Sequence, residues 1–498
     1  MSAPLPQPSP PVWRHALEGT LAVVAALVTM AATAWVALTL LGAGTVAPLS
    51  RLVPTLVSLA LGGGVTLESA TESDGSADGG GLGGLFGGGG LSLSLAGEVA
   101  LTPLTLSFLG TAVLAIAFFR PLRRRARPTP AMLWARCGGA LATAGVAVPV
   151  CALLARGTAR LPESVQERIG ERAGAGRTGG FGGFGGGGGG GGLTSALASV
   201  SFRTDAVATA FLGLVGVAAV LAVGCLAARR TTLPRPLALG GPRTKWNAAM
   251  STLTGTAAVL CCATLAVAVL AGAAALTGRE QAARAAGVLL LAGPNLVAVL
   301  LTAGMGTSWE AGVRRLRPEG GGMAGMLGAG GQDDAAGGDR SLDLGHWAGA
   351  GVPLWVTGLL LALLLLLLAG YVAAARTPAR TARQDSNALL GRHTDTALRV
   401  GVAVAVATFV LPFLARGSLR IGVSLMGSEM GGLSAGLGTS PRLSALTAFA
   451  VAALASYSGS RLHGRRARRR EHPAGNPAPR PRAVSSRRAR SPEDRVIS

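Results

Sequence analysis

Most of the apolar positions of this chain fall in long blocks. Residues 19–42, 99–119, 133–155, 206–228, 248–276, 350–374 and 396–415 each form a run of about 20 or more residues with very few charges. That length lets a helix cross a hydrocarbon layer, so each block predicts a transmembrane helix. Two more blocks are ambiguous. Residues 285–305 contain Gly293-Pro294-Asn295, and a proline that lacks an amide hydrogen predicts a break there. Residues 443–460 suffice only if their serines and threonine are buried or lie near the interface.

Charge between the blocks orders them. The short connections with Arg120, Arg123, Arg124 and Arg125, and with Arg229, Arg230, Arg235, Arg243 and Lys245, contain no acid. Short basic loops stay in the cytoplasm, so the N-terminus is predicted inside and loops 43–98 and 156–205 outside. The segment 461–498 carries twelve arginines against Glu471, Glu493 and Asp494, and reads as a disordered cytoplasmic tail. Nine full crossings would leave it outside. Eight crossings with 285–305 re-entrant place it inside, and make 306–347 and 416–442 external. The chain then divides into a cytoplasmic segment 1–18, a polytopic membrane domain 19–460 and the tail 461–498.

Composition agrees with a membrane class. Only 14% of the 498 residues are charged and the mean hydropathy is +0.48, whereas soluble domains carry about a quarter charged residues. The fold class is therefore all-α, a polytopic helical bundle with glycine-rich external loops. The net charge of +22 would also suit a nucleic-acid binder, but the basic residues are scattered in clusters between spans. Arg123, Arg124, Arg125, Arg229, Arg230, Arg465, Arg466, Arg468, Arg469 and Arg470 are assigned to anionic headgroups of the bilayer, and nucleic acid is disfavoured. Arg136 is placed to snorkel from the cytoplasmic end of its span. Six tryptophans, Trp309 among them, lie near predicted span ends as interfacial indoles do.

The external loops hold every long glycine block. Residues 91–95, LSLSL, alternate as a strand or interfacial segment does, and residues 163–174 read as a short helix. Two segments resemble phosphate loops, GMGTS at 304–308 and GLGTS at 436–440, but neither continues into lysine, so nucleotide binding is disfavoured. They are read as external hinges, the likeness being either coincidence or a remnant of duplication. Gly304, Gly306, Gly436, Gly438 and Thr439 permit the turns, Thr307 caps a short helix running to Glu310, and Pro441 opens the last helix.

No clustered motif for metal, nucleotide or acyl-transfer chemistry is present in the sequence, so no cofactor, no metal and no enzyme activity are expected. The five cysteines sit inside apolar runs and read as small hydrophobes. Gly293, Pro294 and Asn295 form the one polar interruption within a span, which gives an alternative reading as a small-molecule transporter.

The span pattern, with LSLSLAGEVALTPLTLSF at 91–108 and LAGPNLVAVLLTAGMGTS at 292–308, resembles a family of actinobacterial multi-pass membrane proteins that includes the mycobacterial cell-division protein PerM. The resemblance implies a non-enzymatic plasma-membrane protein. It implies support of cell division or envelope integrity through contacts with divisome or other envelope membrane proteins. It supplies no catalytic residues.

Overall fold

The computed structural model describes residues 12–69, 93–123, 129–160, 199–228, 234, 241–275, 280–316, 340–343, 348–349, 352–377, 391–415, 417–425 and 428–471. Within them lie helices α1 (Val12–Leu40), α2 (Leu49–Ala60), α3 (Leu104–Arg123), α4 (Pro130–Leu154) and α5 (Ala206–Ala227). The second half supplies α6 (Gly241–Ala275), α7 (Glu280–Gly304), α8 (Leu354–Arg376), α9 (Arg392–Ala415) and α10 (Pro441–Glu471). Nine of these are long and apolar enough to cross a membrane, α2 being the short one. The chain is thus a polytopic helical bundle, as its apolar blocks require.

Several expectations change. Helix α7 runs through Pro294 without interruption, because a proline costs one internal hydrogen bond and neighbouring groups can offset the loss. Helix α10 continues to Glu471, so residues 461–471 belong to a helix and not to a disordered tail. Arginine and alanine are good helix formers, and cations at a helix C-terminus suit its dipole. Arg136 does not snorkel. It is fully buried, with Nη2 3.3 Å from Glu18 Oε2 and its guanidinium carbon 5.3 Å from the centre of the Phe118 ring. Gly19 and Gly139 make this possible, since a Cβ on either would collide with backbone of the facing helix. The predicted helix at 163–174 lies outside the described residues.

The larger departure is in the loops. They contribute strands β1 (Val65–Ser69), β2 (Leu93–Leu101), β3 (Arg156–Arg160), β4 (Ser199–Thr204), β5 (Glu310–Leu316) and β6 (Arg340–Asp343). After the two-residue strands β7 (Ala348–Gly349) and β8 (Val352–Pro353) come β9 (Gly417–Leu425) and β10 (Ser428–Gly438). Apart from the β7–β8 ribbon, they form one eight-stranded antiparallel sheet in the order β3-β4-β1-β2-β9-β10-β5-β6. Of the LSLSL alternation, the part from Leu93 onward is strand β2.

This order reveals an internal duplication. The first half runs α1-α2-β1-β2-α3-α4-β3-β4-α5 and the second α6-α7-β5-β6-α8-α9-β9-β10-α10, with β7 and β8 added before α8. In the sheet the first half contributes β3-β4-β1-β2 and the second, in the same relative order, β9-β10-β5-β6.

Individual residues correspond as well. LARGTAR at 154–160 matches LARGSLR at 414–420. At that same separation the buried stripe Arg136, Ala140, Ala144, Val148, Ala152 and Ala155 matches Thr396, Val400, Val404, Thr408, Pro412 and Ala415. The ends of α2 and α7 share one hydrogen-bonded cap. Gly62 and Gly306 have φ of 95° and 89°, and their amides donate to the carbonyls of Leu59 and Ala303. The next amides, of Gly63 and Thr307, donate to Ser58 and Thr302. Glycine at this left-handed position avoids the Cβ penalty. Thr307 therefore follows the end of a helix and does not cap a new one, and β5 starts at Glu310.

Helix α7 is accordingly the counterpart of the 12-residue α2. It lies along the sheet-side ends of three other helices. A Cβ on Gly287 would stand 3.2 Å from the Ala37 carbonyl oxygen near the end of α1. Thr105 Oγ1 at the start of α3 donates to the Leu291 carbonyl at 3.2 Å, and Gly304 packs backbone to backbone on Gly358 near the start of α8.

Candidate functional site

The sheet has an apolar and a polar face, with Leu101 and Val313 exposed at the margin of the apolar one. Val65, Phe202 and Thr204 are buried, and Leu67, Val99, Leu419, Ala435, Leu437 and Ala311 are half-buried. Val65 and Phe202 pack with Leu59 and Ala47, and Leu52 and Leu56 of α2 lie against them. Just ahead of β5, Trp309 is fully buried and its indole N–H donates to Thr302 Oγ1 at 2.8 Å. It is a core residue, not an interfacial one, because the cap at Gly306 turns the chain so that the indole reaches back to the last turns of α7.

The alternate positions form the other face. One row crosses seven strands in register: Arg156, Arg203, Thr66, Glu98, Arg420, Ser434 and Arg314. All are exposed except Ser434, which is half-buried. Period-two alternation supplies the separation of faces, and the pairing register brings the four arginines into line. Two concavities open on this region. One, of about 680 Å³, is lined by Glu98, Glu310, Arg314, Arg420, Ser308 and Ser440 among others. The other, of about 660 Å³, has Arg51, Glu68, Arg156 and Arg203 in its lining. They are related by the duplication, since Thr158 and Ser201 of the second correspond to Ser418 and Gly436 of the first.

The GTS hinges meet here. Gly436, Gly438, Thr439, Ser440 and Ser308 all line the larger concavity. Gly436 and Gly438 are strand residues of β10, and Pro441 occupies the first turn of α10 as expected. The two GTS segments are not counterparts of each other. GMGTS joins α7 to β5, where the first half has 60–64, while GLGTS joins β10 to α10, where the first half has Asp205 capping α5. Asp205 Oδ1 accepts from the amides of Val207 and Ala208 at 2.9 and 3.1 Å.

Asn295 is engaged in structure. Its Nδ2 donates to the Thr102 carbonyl at 2.8 Å and its Oδ1 accepts the Leu104 amide at 2.9 Å, so it clamps α7 to both sides of Pro103. Gly293 and Pro294 are buried beside it, and a Cβ on Gly293 would rest 3.5 Å from the Thr264 Cβ of α6.

At the end opposite the sheet, arginines serve helix termini. Arg243 Nε donates to the Cys225 carbonyl at 2.9 Å, and its Nη2 to that of Ala228. Arg392 Nη2 donates to Thr377 at 2.8 Å beyond α8. Arg123 ends α3. Arg465, Arg466, Arg468 and Arg469 are exposed along α10, and Arg470 lies in its last turn. Arg124, Arg125, Arg229 and Arg230 lie outside the described residues. A third concavity at this end, about 280 Å³, holds His393, His463, Arg392 and Arg468, with His393 Nδ1 3.2 Å from Ser460 Oγ. Among the described residues no three metal-ligating side chains converge.

Fold and surface together define a polytopic helical membrane protein capped at one end by a sheet built from its loops. Comparison with protein-family models, with curated proteins and with solved structures finds no match.

Proposed function

We propose that this is a non-enzymatic plasma-membrane protein that supports cell division or envelope integrity by holding other membrane proteins through its sheet. The observation that carries the reading is the in-register row of four arginines on the polar face, presented by strands whose other face rests on the helices. A broad, arginine-bearing surface fixed by backbone pairing suits protein contact, where arginine is enriched. The likeness of residues 91–108 and 292–308 to the PerM-containing family supplies the cellular process.

In the proposed topology the sheet is outside and both termini are cytoplasmic. The acid-free arginine connections after α3 and α5 lie at the opposite end, which supports this orientation. Eight helices cross, namely α1, α3, α4, α5, α6, α8, α9 and α10. Helix α6 starts beside the end of α5, yet α7 leads into the sheet, so the two together span the membrane once. Like α2, α7 then lies within the sheet-side half of the bilayer.

A topology map with single reporter cysteines near residues 280 and 325 tests the arrangement in intact cells. Both positions are expected to label from outside, and cytoplasmic position 325 would overturn it. For function, depletion combined with in-cell cross-linking is expected to give abnormal septa and a reproducible membrane partner. The partner is expected to be lost when Arg203 and Arg314 are changed to glutamate. Normal septa without a partner would refute the reading.

A further inference from the structure

The duplication leaves the two outer edges of the sheet complementary to each other. Inside the chain the halves are joined by β2 and β9, which pair antiparallel from Leu93↔Leu425 to Leu101↔Gly417, with Glu98 opposite Arg420. The counterpart of β9 is β3, and the counterpart of β2 is β6. Among the described residues these two strands are the outer edges of the eight-stranded sheet. What joins half to half is therefore repeated, unmatched among the described residues, at the two ends of the sheet.

The register carries the correspondence to single residues. Matching LARGTAR with LARGSLR puts Arg160 at the position of Arg420. Matching the caps at Gly62 and Gly306 puts Glu310 at the position of Thr66. Thr66 pairs with Glu98 and Glu310 pairs with Asp343, so Asp343 occupies the position of Glu98. The acid and the arginine of the internal seam thus reappear, acid as acid and arginine as arginine, on opposite edges. Charged residues on an edge strand ordinarily discourage pairing. Here each edge carries the charge that the other would need.

We propose that copies of this chain associate head to tail in the plane of the membrane, β6 of one pairing antiparallel with β3 of the next, in the register that sets Asp343 opposite Arg160. The occupant of each edge is a second copy because the internal seam is already that interface within one chain. The contact is heterologous, so it produces a ring or a row and not a two-fold dimer. Among the described residues β3 and β6 are not paired with each other, so the sheet does not close on its own edges. This inference does not depend on the cellular process proposed above.

The test uses the full chain in native membranes, with its five cysteines replaced by alanine. Arg160→Cys with Asp343→Cys in one chain should, on mild oxidation, yield covalent dimers and larger species, while each single cysteine variant stays monomeric. Cross-linking of either single variant to itself would indicate a two-fold contact and overturn the proposal. So would a double variant that closes a disulfide within one chain or forms none. Charge reversal gives a second measure that needs no oxidation. Arg160→Glu and Asp343→Arg should each reduce several-fold the oligomer seen after amine-independent photocross-linking, and the two together should restore it. An oligomer indifferent to both reversals would overturn the register.

Discussion

Glu98 on β2 stands directly opposite Arg420 on β9, and this pair lies on the seam between the two halves of the duplicated chain. Both residues are exposed. An oppositely charged cross-strand pair contributes about 0.2–1 kcal/mol, and like charges in the same place are destabilising. Glu98→Arg should therefore loosen the seam by a comparable amount and increase protease cleavage between the halves in detergent. Adding Arg420→Glu should reverse the effect. An unchanged cleavage rate in Glu98→Arg would show that the backbone ladder alone holds the seam.

The Glu18–Arg136 pair lies far from the sheet, between α1 and α4. Removing one partner of a buried ion pair leaves a buried charge uncompensated, at about 3–5 kcal/mol. Since Glu18 keeps 30% of its side-chain exposure while Arg136 has none, water relieves part of that cost when Glu18 is the charge left behind, as in Arg136→Met, and not when Arg136 is, as in Glu18→Gln. Arg136→Met, which removes the charge and retains an apolar stem, is expected to destabilise less than Glu18→Gln. Denaturant titration in micelles gives the order of the two, and the reverse order would refute the assignment.

Trp309 is fully buried just ahead of β5, its indole hydrogen-bonded to Thr302 of α7. Truncating a large buried aromatic costs about 3–5 kcal/mol, so Trp309→Ala should lower thermal stability clearly. Trp13→Ala, at 59% exposure, should barely change it. Equal effects of the two would place Trp309 at the lipid interface instead of in the core.

Asn295 distinguishes scaffold from transporter. If its amide only clamps α7 to the Thr102–Leu104 segment, Asn295→Ala should reduce stability by roughly 1–3 kcal/mol and affect no solute flux in liposomes. Specific uptake that disappears in Asn295→Ala while the protein stays folded would favour transport.

The helix spans were legible in the sequence. An apolar block of about 20 residues has few stable solutions other than a helix in lipid or a fully buried core. Observed ends still moved: α6 begins at Gly241 and α10 ends at Glu471, because polar helical turns outside the apolar run leave no hydropathy signal. The duplication was also written there, in LARGTAR and LARGSLR, but short repeats of common residues are hard to separate from chance. The GTS pair is such a chance likeness, shared by two different joints. The sheet was hardly legible, although SVSF in β4 and SLRIGVSL in β9 alternate as LSLSL does, because such runs are short beside the apolar blocks, adjoin glycine-rich stretches and do not name their partner strands.

By itself, then, the sequence determined the membrane class, the approximate spans and the charge asymmetry across them, because these depend on composition within one contiguous segment. Tertiary structure alone decided that the loops pair into one sheet, that Arg136 is buried beside Glu18, and that four distant arginines share one row. Those outcomes depend on register and packing between segments far apart in the chain, and no local pattern records which partner a strand or a buried charge will find.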